Sequence, residues 1–265
     1  MTEAPDGKLL VVDVGNTQTH FGVFAADGQS VEEHWRFATV RESTQDEVGA
    51  ALANLLALRG LGFADITRSI ISSTVPQLID QWTAMAERYL GHHMLVVGPN
   101  LRTGMPIRID NPREVGADRL VNAVAAYHRV QSTCVVVDFG TAITYDAVSA
   151  AGEYLGGIIT PGAEISLDAL YERAAKLPKV EMAEPRALIG KSTVDAVRSG
   201  IAFGFAGQVE GIVQRLRDEL GQDTTVIATG GLASTLVPFI RETIDDVDEM
   251  LTLIGLRLIW ERNQG

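Results

Sequence analysis

Two short turns in this sequence place an aspartate and a glycine directly after an apolar run. DVGNT at residues 13–17 follows LLVV, and DFGT at residues 138–141 follows CVVV. Glycine lets the backbone approach a phosphate closely, and successive N–H groups in such a turn can bind an anion. The carboxylates repel phosphate, so they are better suited to hold cations, with Mg²⁺ bound mostly through water. The donors that could reach phosphate oxygens are the side chains of Asn16, Thr17, Thr19 and Thr141.

The two turns belong to an internal repeat. LLVVDVGNTQTHFGVFAADG at residues 9–28 aligns without a gap with CVVVDFGTAITYDAVSAAGE at residues 134–153. One Asp-x-Gly turn alone is typical of an ordinary hairpin, but two aligned copies indicate a duplicated domain. The repeat therefore predicts two similar α/β domains that hold one ligand between their tips.

The elements around the repeat alternate between strand and helix patterns, which favours an α/β architecture. Strands are predicted at residues 68–73, 94–97, 144–148 and 225–228. A first helix is predicted to begin near Ser43, which with Asp46 could cap it. Further helices are predicted at residues 77–89, 118–130, 192–220 and 247–260.

A third glycine-rich element follows the strand at residues 225–228. Thr229-Gly230-Gly231 would let a flat ring lie against the backbone, which suits adenine or ribose. The three elements, in this order, resemble those that bind phosphates and adenosine in the actin, sugar kinase and Hsp70-like ATPase superfamily. A P-loop is excluded, because GKST at residues 190–193 has Pro185 where the first glycine is required. Ser192 or Thr193 instead marks a helix start.

A polar segment, residues 110–119, precedes the apolar helix predicted from residue 118. Asp118 could stabilise the helix N-terminus, or it could accept a hydroxyl proton during phosphoryl transfer. Arg119 could bind a substrate carboxylate or a phosphate, or form a surface ion pair. The spacing alone leaves these alternatives open.

Composition limits the partners. The chain has 265 residues with 22 Lys and Arg against 34 Asp and Glu, a formal net charge of -12, so we expect no nucleic acid and no anionic membrane partner. Cys134 is the single cysteine, which excludes an intramolecular disulfide. The N-terminus lacks a signal peptide pattern, and no apolar run approaches the roughly 20 residues that span a bilayer. We therefore expect a cytoplasmic protein.

Five motifs together give a specific resemblance over nearly the whole chain. DVGNT at 13–17, NPREVGADR at 111–119, DFGTAIT at 138–144, GGIITPG at 156–162 and GKSTVDAVRSG at 190–200 resemble those of type III pantothenate kinases. The resemblance implies ATP-dependent phosphorylation of pantothenate to 4′-phosphopantothenate, the first step of coenzyme A synthesis. It implies duplicated ribonuclease H-like (actin-like ATPase) domains around a central cleft, at residues 1–117 and 118–265. It also implies a homodimer with the substrate pocket near the partner subunit.

The resemblance further implies roles for individual residues. Asp118 would be the catalytic base, Asp13 would lie near Mg²⁺, and Asp138 would hold a monovalent cation, K⁺ or NH₄⁺. ATP would be bound by Asp13, Val14, Gly15, Asn16, Thr17, Gln18, Thr19, His20 and Thr141. Pantothenate would be bound by Gly116, Ala117, Asp118, Arg119 and Thr193. The family usually has tyrosine where this chain has Ile109, which removes one hydroxyl contact.

Two other functions fit parts of the sequence. The chain could be a regulatory accessory protein that binds a nucleotide without turnover, but the intact Asp118, Arg119 and Asp138 argue against it. It could be a kinase of the same fold acting on a sugar or on acetate. The GADR segment at residues 116–119 and the short chain argue against that alternative.

Overall fold

The computed structural model describes residues 7–174 and 177–264, which form two compact units. The first unit contains the chain up to residue 104, residues 111–125 and the chain from residue 252. The second contains residues 105–110 and 126–251. Neither unit is continuous in sequence. The boundary between residues 117 and 118 therefore stays a prediction about the duplicated domains.

A five-stranded sheet forms the centre of the first unit, in the order β3-β2-β1-β4-β5. Its strands are β1 (Lys8–Val14), β2 (Gln18–Phe24), β3 (Val31–Ala38), β4 (Ile66–Ser73) and β5 (Leu95–Val96). The central strand β1 is antiparallel to β2 and parallel to β4. Its apolar residues from Leu9 to Val12 are at most 1% exposed, because helices cover both faces of the sheet.

Helices α1 (Gln45–Ala57) and α2 (Pro76–Met85) pack on one face of this sheet, and a π-helical turn (Ala86–Leu90) continues α2. Thr44 caps α1 in a capping box with Glu47, so the predicted cap at Ser43 was wrong by one residue. Thr44 and Glu47 form the cap because the glutamate side chain accepts a hydrogen bond from the backbone N–H group of Thr44.

Two further helices contribute to the opposite face. Helix α3 (Ala117–Val130) begins in the first unit and ends in the second, and α7 (Leu251–Arg262) lies almost entirely in the first. Leu253 of α7 packs against Gly22 of β2. The Thr252 hydroxyl donates to the Asn122 side chain over 2.7 Å and ties α7 to α3.

The second unit repeats the same sheet in the order β8-β7-β6-β9-β10. Its strands are β6 (Cys134–Phe139), β7 (Ala142–Val148), β8 (Tyr154–Pro161), β9 (Thr225–Thr229) and β10 (Asp246–Val247). Its helices are α4 (Ala163–Arg173), α5 (Thr193–Leu220) and the short α6 (Ala233–Leu236). Strand β6 is antiparallel to β7 and parallel to β9, as β1 is to β2 and β4. The predicted α/β class and the predicted duplication are confirmed.

The sequence patterns missed the edge strands β3, β8 and β10 and the helices α4 and α6. The last helix begins at Leu251 and not near residue 247, because residues 246 and 247 pair with β9 as β10. Within the described residues, none of the helices combines the length and apolar character needed to cross a membrane.

The close approach of α3 and α7 makes a stability prediction. A Cβ at Gly255 would collide with the backbone carbonyl oxygen of Val121, so we expect Gly255→Ala to lower the free energy of unfolding by about 1–3 kcal/mol. Gly207→Ala is the matched control, since open space surrounds that position and alanine favours a helix by up to about 1 kcal/mol. Urea unfolding measures both. Equal stability of the two variants would contradict the packing described here.

Candidate active site

Asp13 lies at the end of β1, where two neighbouring strands bring polar side chains beside it. The parallel pairing of β1 with β4 places Ser72 next to Asp13, and the Ser72 hydroxyl donates to Asp13 Oδ1 over 2.6 Å. The antiparallel pairing with β2 places His20 on its other side. The sequence had assigned no role to Ser72, because a serine inside a strand gives no signal of its own.

The turn after Asp13 is closed by backbone and side-chain contacts. The Gly15 N–H group donates to the Gln18 carbonyl over 3.0 Å, and a Cβ at Gly15 would lie only 2.9 Å from that oxygen. Asn16, Thr17 and Gln18 are exposed at the tip. The Asn16 amide donates to the Thr74 hydroxyl over 3.3 Å. The glycine is therefore required by the turn itself, and the exposed residues remain accessible to a ligand.

Thr19 and His20 are buried, unlike the three exposed residues before them. The Thr19 hydroxyl is hydrogen-bonded with that of Thr39 over 3.0 Å, and His20 Nε2 lies 3.3 Å from His34 Nδ1. Burial, with smaller effects of Arg36 and His34, lowers the pKa of His20 to about 3. His20 is therefore neutral at physiological pH and brings no positive charge to a phosphate.

Asp118 occupies the first turn of α3, in the same unit as Asp13. The Leu120 N–H group donates to the Gly116 carbonyl over 3.1 Å, which makes Gly116 the residue at the helix start and places Asp118 inside the first turn. The Oδ1 atom of Asp118 is buried and accepts no hydrogen bond from the described residues. Burial raises the pKa of Asp118, and the adjacent Arg119 offsets that rise only in part. A carboxylate with an oxygen left unpaired in this way suits a proton acceptor.

The position of this oxygen requires glycine at residue 116. A Cβ at Gly116 would lie 2.5 Å from Asp118 Oδ1, so a side chain there would occupy the space that the oxygen faces. The loop before it is fixed locally, because the Asn111 amide donates to Glu114 over 2.7 Å. The close contact between Gly116 and Asp118 thus explains the first and third residues of the motif at residues 116–119.

Asp138 holds the matching position in the second unit. It pairs with Thr229 across the parallel strands β6 and β9. Gly230 follows with φ of +97°, and a Cβ there would collide with Asp138 Oδ1. The predicted DFG and TGG elements are therefore in direct contact, and glycine is required between them.

Thr141 is exposed at the tip of this second turn. The Gly162 N–H group donates to the Thr141 carbonyl over 3.0 Å, and a Cβ at Gly162 would collide with the same oxygen. The GGIITPG motif thus ends against the turn that carries Thr141, just before α4. The sequence had identified this motif only through the family resemblance.

Thr193 is the exposed first residue of α5. Ser192 caps the helix by accepting a hydrogen bond from the Asp195 N–H group over 3.1 Å. The GKST segment is therefore a helix start, as predicted, with Ser192 as the cap.

Ile109 lies on a segment that joins the edge of the second sheet. The Tyr154 N–H group donates to the Pro106 carbonyl, and the Arg108 N–H group donates to the Tyr154 carbonyl, each over 2.8 Å. Ile109 Cγ2 lies 3.3 Å from where a Cβ at Gly156 would stand. The half-buried isoleucine provides an apolar surface in place of a hydroxyl.

Two half-buried carboxylates, Asp13 and Asp138, are the candidate cation ligands. The described ranges contain no group of three or more His, Cys, Asp or Glu side chains that could hold a metal ion. Asp13, half-buried and already accepting from Ser72, fits a Mg²⁺ ion that keeps most of its waters and binds substrate phosphates. Asp138 is likewise half-buried, and Gly140 and Gly230 border its carboxylate.

The fold is shared with nucleotide-binding proteins of low sequence identity. An activator of the 2-hydroxyisocaproyl-CoA dehydratase from Clostridium difficile, solved with ADPNP, superposes with a TM-score of 0.54 at 12% identity. The superposition covers 97% of this chain and 96% of that one. At this identity the likeness shows the fold alone, which is that of actin-like ATPases and sugar kinases.

Sequence comparison gives the family. The family model described as type III pantothenate kinase matches residues 9–215. A type III pantothenate kinase from Moorella thermoacetica is 52% identical over 255 residues, covering 96% of this chain and 99% of that protein. One from Myxococcus xanthus is 50% identical over 257 residues, covering 97% and 99%. The resemblance seen in the motifs is thereby confirmed, and the chain belongs to the type III pantothenate kinase family.

Proposed function

We propose that this chain transfers the γ-phosphoryl group of ATP to the primary hydroxyl of pantothenate, giving ADP and 4′-phosphopantothenate, the first step of coenzyme A synthesis. Family membership over nearly the whole chain supports the reaction. The structural observation that carries it is the buried, unpaired Oδ1 of Asp118 beside Gly116. Such an oxygen can accept the hydroxyl proton of an acceptor alcohol.

The chemical step is an in-line displacement. The pantothenate oxygen forms a bond to the γ-phosphorus while the bond to the ADP oxygen breaks, and the hydroxyl proton passes to Asp118. A raised pKa makes Asp118 a stronger base than an exposed aspartate, and ionisation is still required for it to act. Most of the acceleration then comes from positioning and from local charge.

Substrate binding is assigned to exposed or glycine-lined positions. In the first unit, the turn from Asp13 to His20 would bind ATP phosphates, chiefly through its exposed residues Asn16, Thr17 and Gln18. In the second unit, Thr141 would bind phosphate, and Gly230 would leave room for adenosine. Pantothenate would be bound by Gly116, Ala117, Asp118, Arg119 and Thr193.

Two cations complete the proposal. Asp13 would hold Mg²⁺ through water, and Asp138 would hold K⁺ or NH₄⁺. Both ions would offset negative charge on the phosphates, which neither carboxylate can do itself.

A homodimer in the cytoplasm, where ATP is available, is the proposed working form. The proposed contacts are large exposed apolar side chains of the second unit, since a contiguous apolar patch typically marks a protein interaction surface. Ile159, Leu188 and Ile189 are 61%, 67% and 79% exposed.

Substitution of the base tests the proposed reaction. We expect the wild type to release ADP in the presence of pantothenate, and Asp118→Asn to reduce kcat by about 10²–10⁴-fold, because the amide cannot accept the proton. Asp110→Asn, which alters an exposed carboxylate at the start of the same polar segment, should change little. Glucose, acetate and glycerol serve as alternative acceptors. Turnover with one of these alone would favour the related kinases, and nucleotide binding without turnover would favour a regulatory protein.

Replacing each turn carboxylate with asparagine tests which cation that carboxylate binds. We expect Asp138→Asn to raise the K⁺ concentration for half-maximal activity at least tenfold, and Asp13→Asn to do so for Mg²⁺. A charge pair at about 4 Å is worth about 1–4 kcal/mol near a protein surface, which supports shifts of this size. Titration of each salt at saturating substrates measures both. If both variants shifted the same cation, the separate assignments would be wrong.

A charge placed among the exposed apolar residues tests the dimer. Sedimentation velocity should show a dimer for the wild type and a monomer for Ile189→Glu, because a carboxylate buried in an apolar interface is costly. Leu58→Glu is the matched control, since Leu58 is 75% exposed on the first unit. A monomeric wild type, or equal disruption by the control, would contradict this surface.

A further inference from the structure

A segment between β3 and α1, residues 39–44, is attached to the first phosphate turn. The Thr39 N–H group donates to the Thr17 carbonyl over 2.9 Å, and the Thr39 hydroxyl donates to the Gly15 carbonyl over 2.8 Å. Both acceptors belong to the turn that follows Asp13. Two hydrogen bonds therefore hold the segment to the turn, although the two are far apart in sequence.

Arg41 is the charged side chain that this segment brings to the turn. Its Nη2 donates to Asn16 Oδ1 over 2.9 Å, and its own carbonyl accepts from the Gln77 amide over 2.9 Å. The backbone and the side chain of Arg41 are thus both fixed, the first on α2 and the second on the turn. Both Arg41 and Asn16 are exposed.

The partner of Arg41 is neutral, in a chain that carries 34 acidic residues. No carboxylate of the described residues forms an ion pair with Arg41, whereas Arg59 of the same unit lies 3.3 Å from Glu33. One donor of the guanidinium is used by Asn16, and its planar fork has four more. Guanidinium donors match phosphate oxygens two at a time, so the remaining donors suit a bound phosphate.

Other groups at the turn do not supply this charge. Asp13 is an anion, and His20 is neutral for the reasons given above. The hydroxyls and the amide at the tip donate hydrogen bonds without charge. Arg36 lies on β3 beside His20, whereas Arg41 is bonded to Asn16, so a phosphate at the tip of this turn would meet the positive charge of Arg41.

We propose that Arg41 binds the γ-phosphate of ATP on the first phosphate turn and holds it for transfer. The inference rests on the proposed function. The γ-phosphate is chosen because the base Asp118 belongs to the same unit as the turn, and the transferred group must reach the hydroxyl that Asp118 deprotonates. Arg41 is then a further substrate-binding residue, outside the motifs that identify the family.

The test compares Arg41→Gln and Arg41→Lys with the wild type in the full chain. We expect Arg41→Gln to lower kcat/KM for ATP by about 10- to 100-fold, because it loses a charge-assisted contact while keeping an amide donor for Asn16. Arg41→Lys should recover part of the loss, since it keeps the charge without the planar fork. The Kd of ADP should change less than about threefold, which is within the range of a weak indirect effect. Arg59→Gln is the control and should behave like the wild type.

Three outcomes would overturn the inference. One is a kcat/KM for ATP that stays within about threefold of the wild type in Arg41→Gln. Another is an equal loss of ATP and ADP affinity, which would place Arg41 on another phosphate. The third is an equal loss of adenosine affinity with a lower melting temperature, which would give Arg41 a purely structural role. A wild type without pantothenate-dependent turnover would instead contradict the proposed function, and the comparison of ATP with ADP binding would still test Arg41.

Discussion

In both units, the pairing of two parallel strands decides where the chemistry lies. Parallel strands end at the same edge of a sheet, so polar residues that follow two separate strands become neighbours. Asp13 meets Ser72 through β1 and β4, and Asp138 meets Thr229 through β6 and β9. A carboxylate is tolerated at this edge and not earlier in either strand, because the preceding residues are buried on both faces.

The two copies use the same edge with different chemistry. The first unit places donors along its turn, with the Ser72 hydroxyl at Asp13 and the amide of Asn16 and the guanidinium of Arg41 at the tip. The second borders its turn with glycine, where Gly230 tolerates no side chain beside Asp138 and Gly162 lies against the carbonyl of Thr141. Donors suit the charged end of a nucleotide, whereas bare backbone suits a flat ring and ribose. Duplication thus supplied two equivalent turns, and their neighbours made them unequal.

The sequence revealed the parts that depend on local pattern. The central strands β1 and β6 each carry four consecutive apolar residues before the same Asp-x-Gly motif, so the duplication was visible without a structure. Edge strands such as β3 and β8 have alternating exposure, and their pairing is decided by the neighbouring strand. The capping box at Thr44 and Glu47 was present in the sequence but was assigned one residue too early. Arg41 had no sequence signal, because its role depends on hydrogen bonds to residues 15–17, which only the fold brings near.

The acidity of the chain and its anionic substrates are compatible because the relevant charges are local. At physiological ionic strength, exposed charges more than about 8 Å apart are largely screened, so the formal charge of -12 has little effect at a given turn. What matters is the immediate surroundings of each group. Burial leaves Asp118 less easily ionised and more basic, which favours proton acceptance but makes its charged form costly to keep in the folded state. A bound alcohol that donates to Oδ1 would relieve part of that cost. The cost of keeping Asp118 charged and the affinity for an acceptor hydroxyl would therefore have the same physical origin.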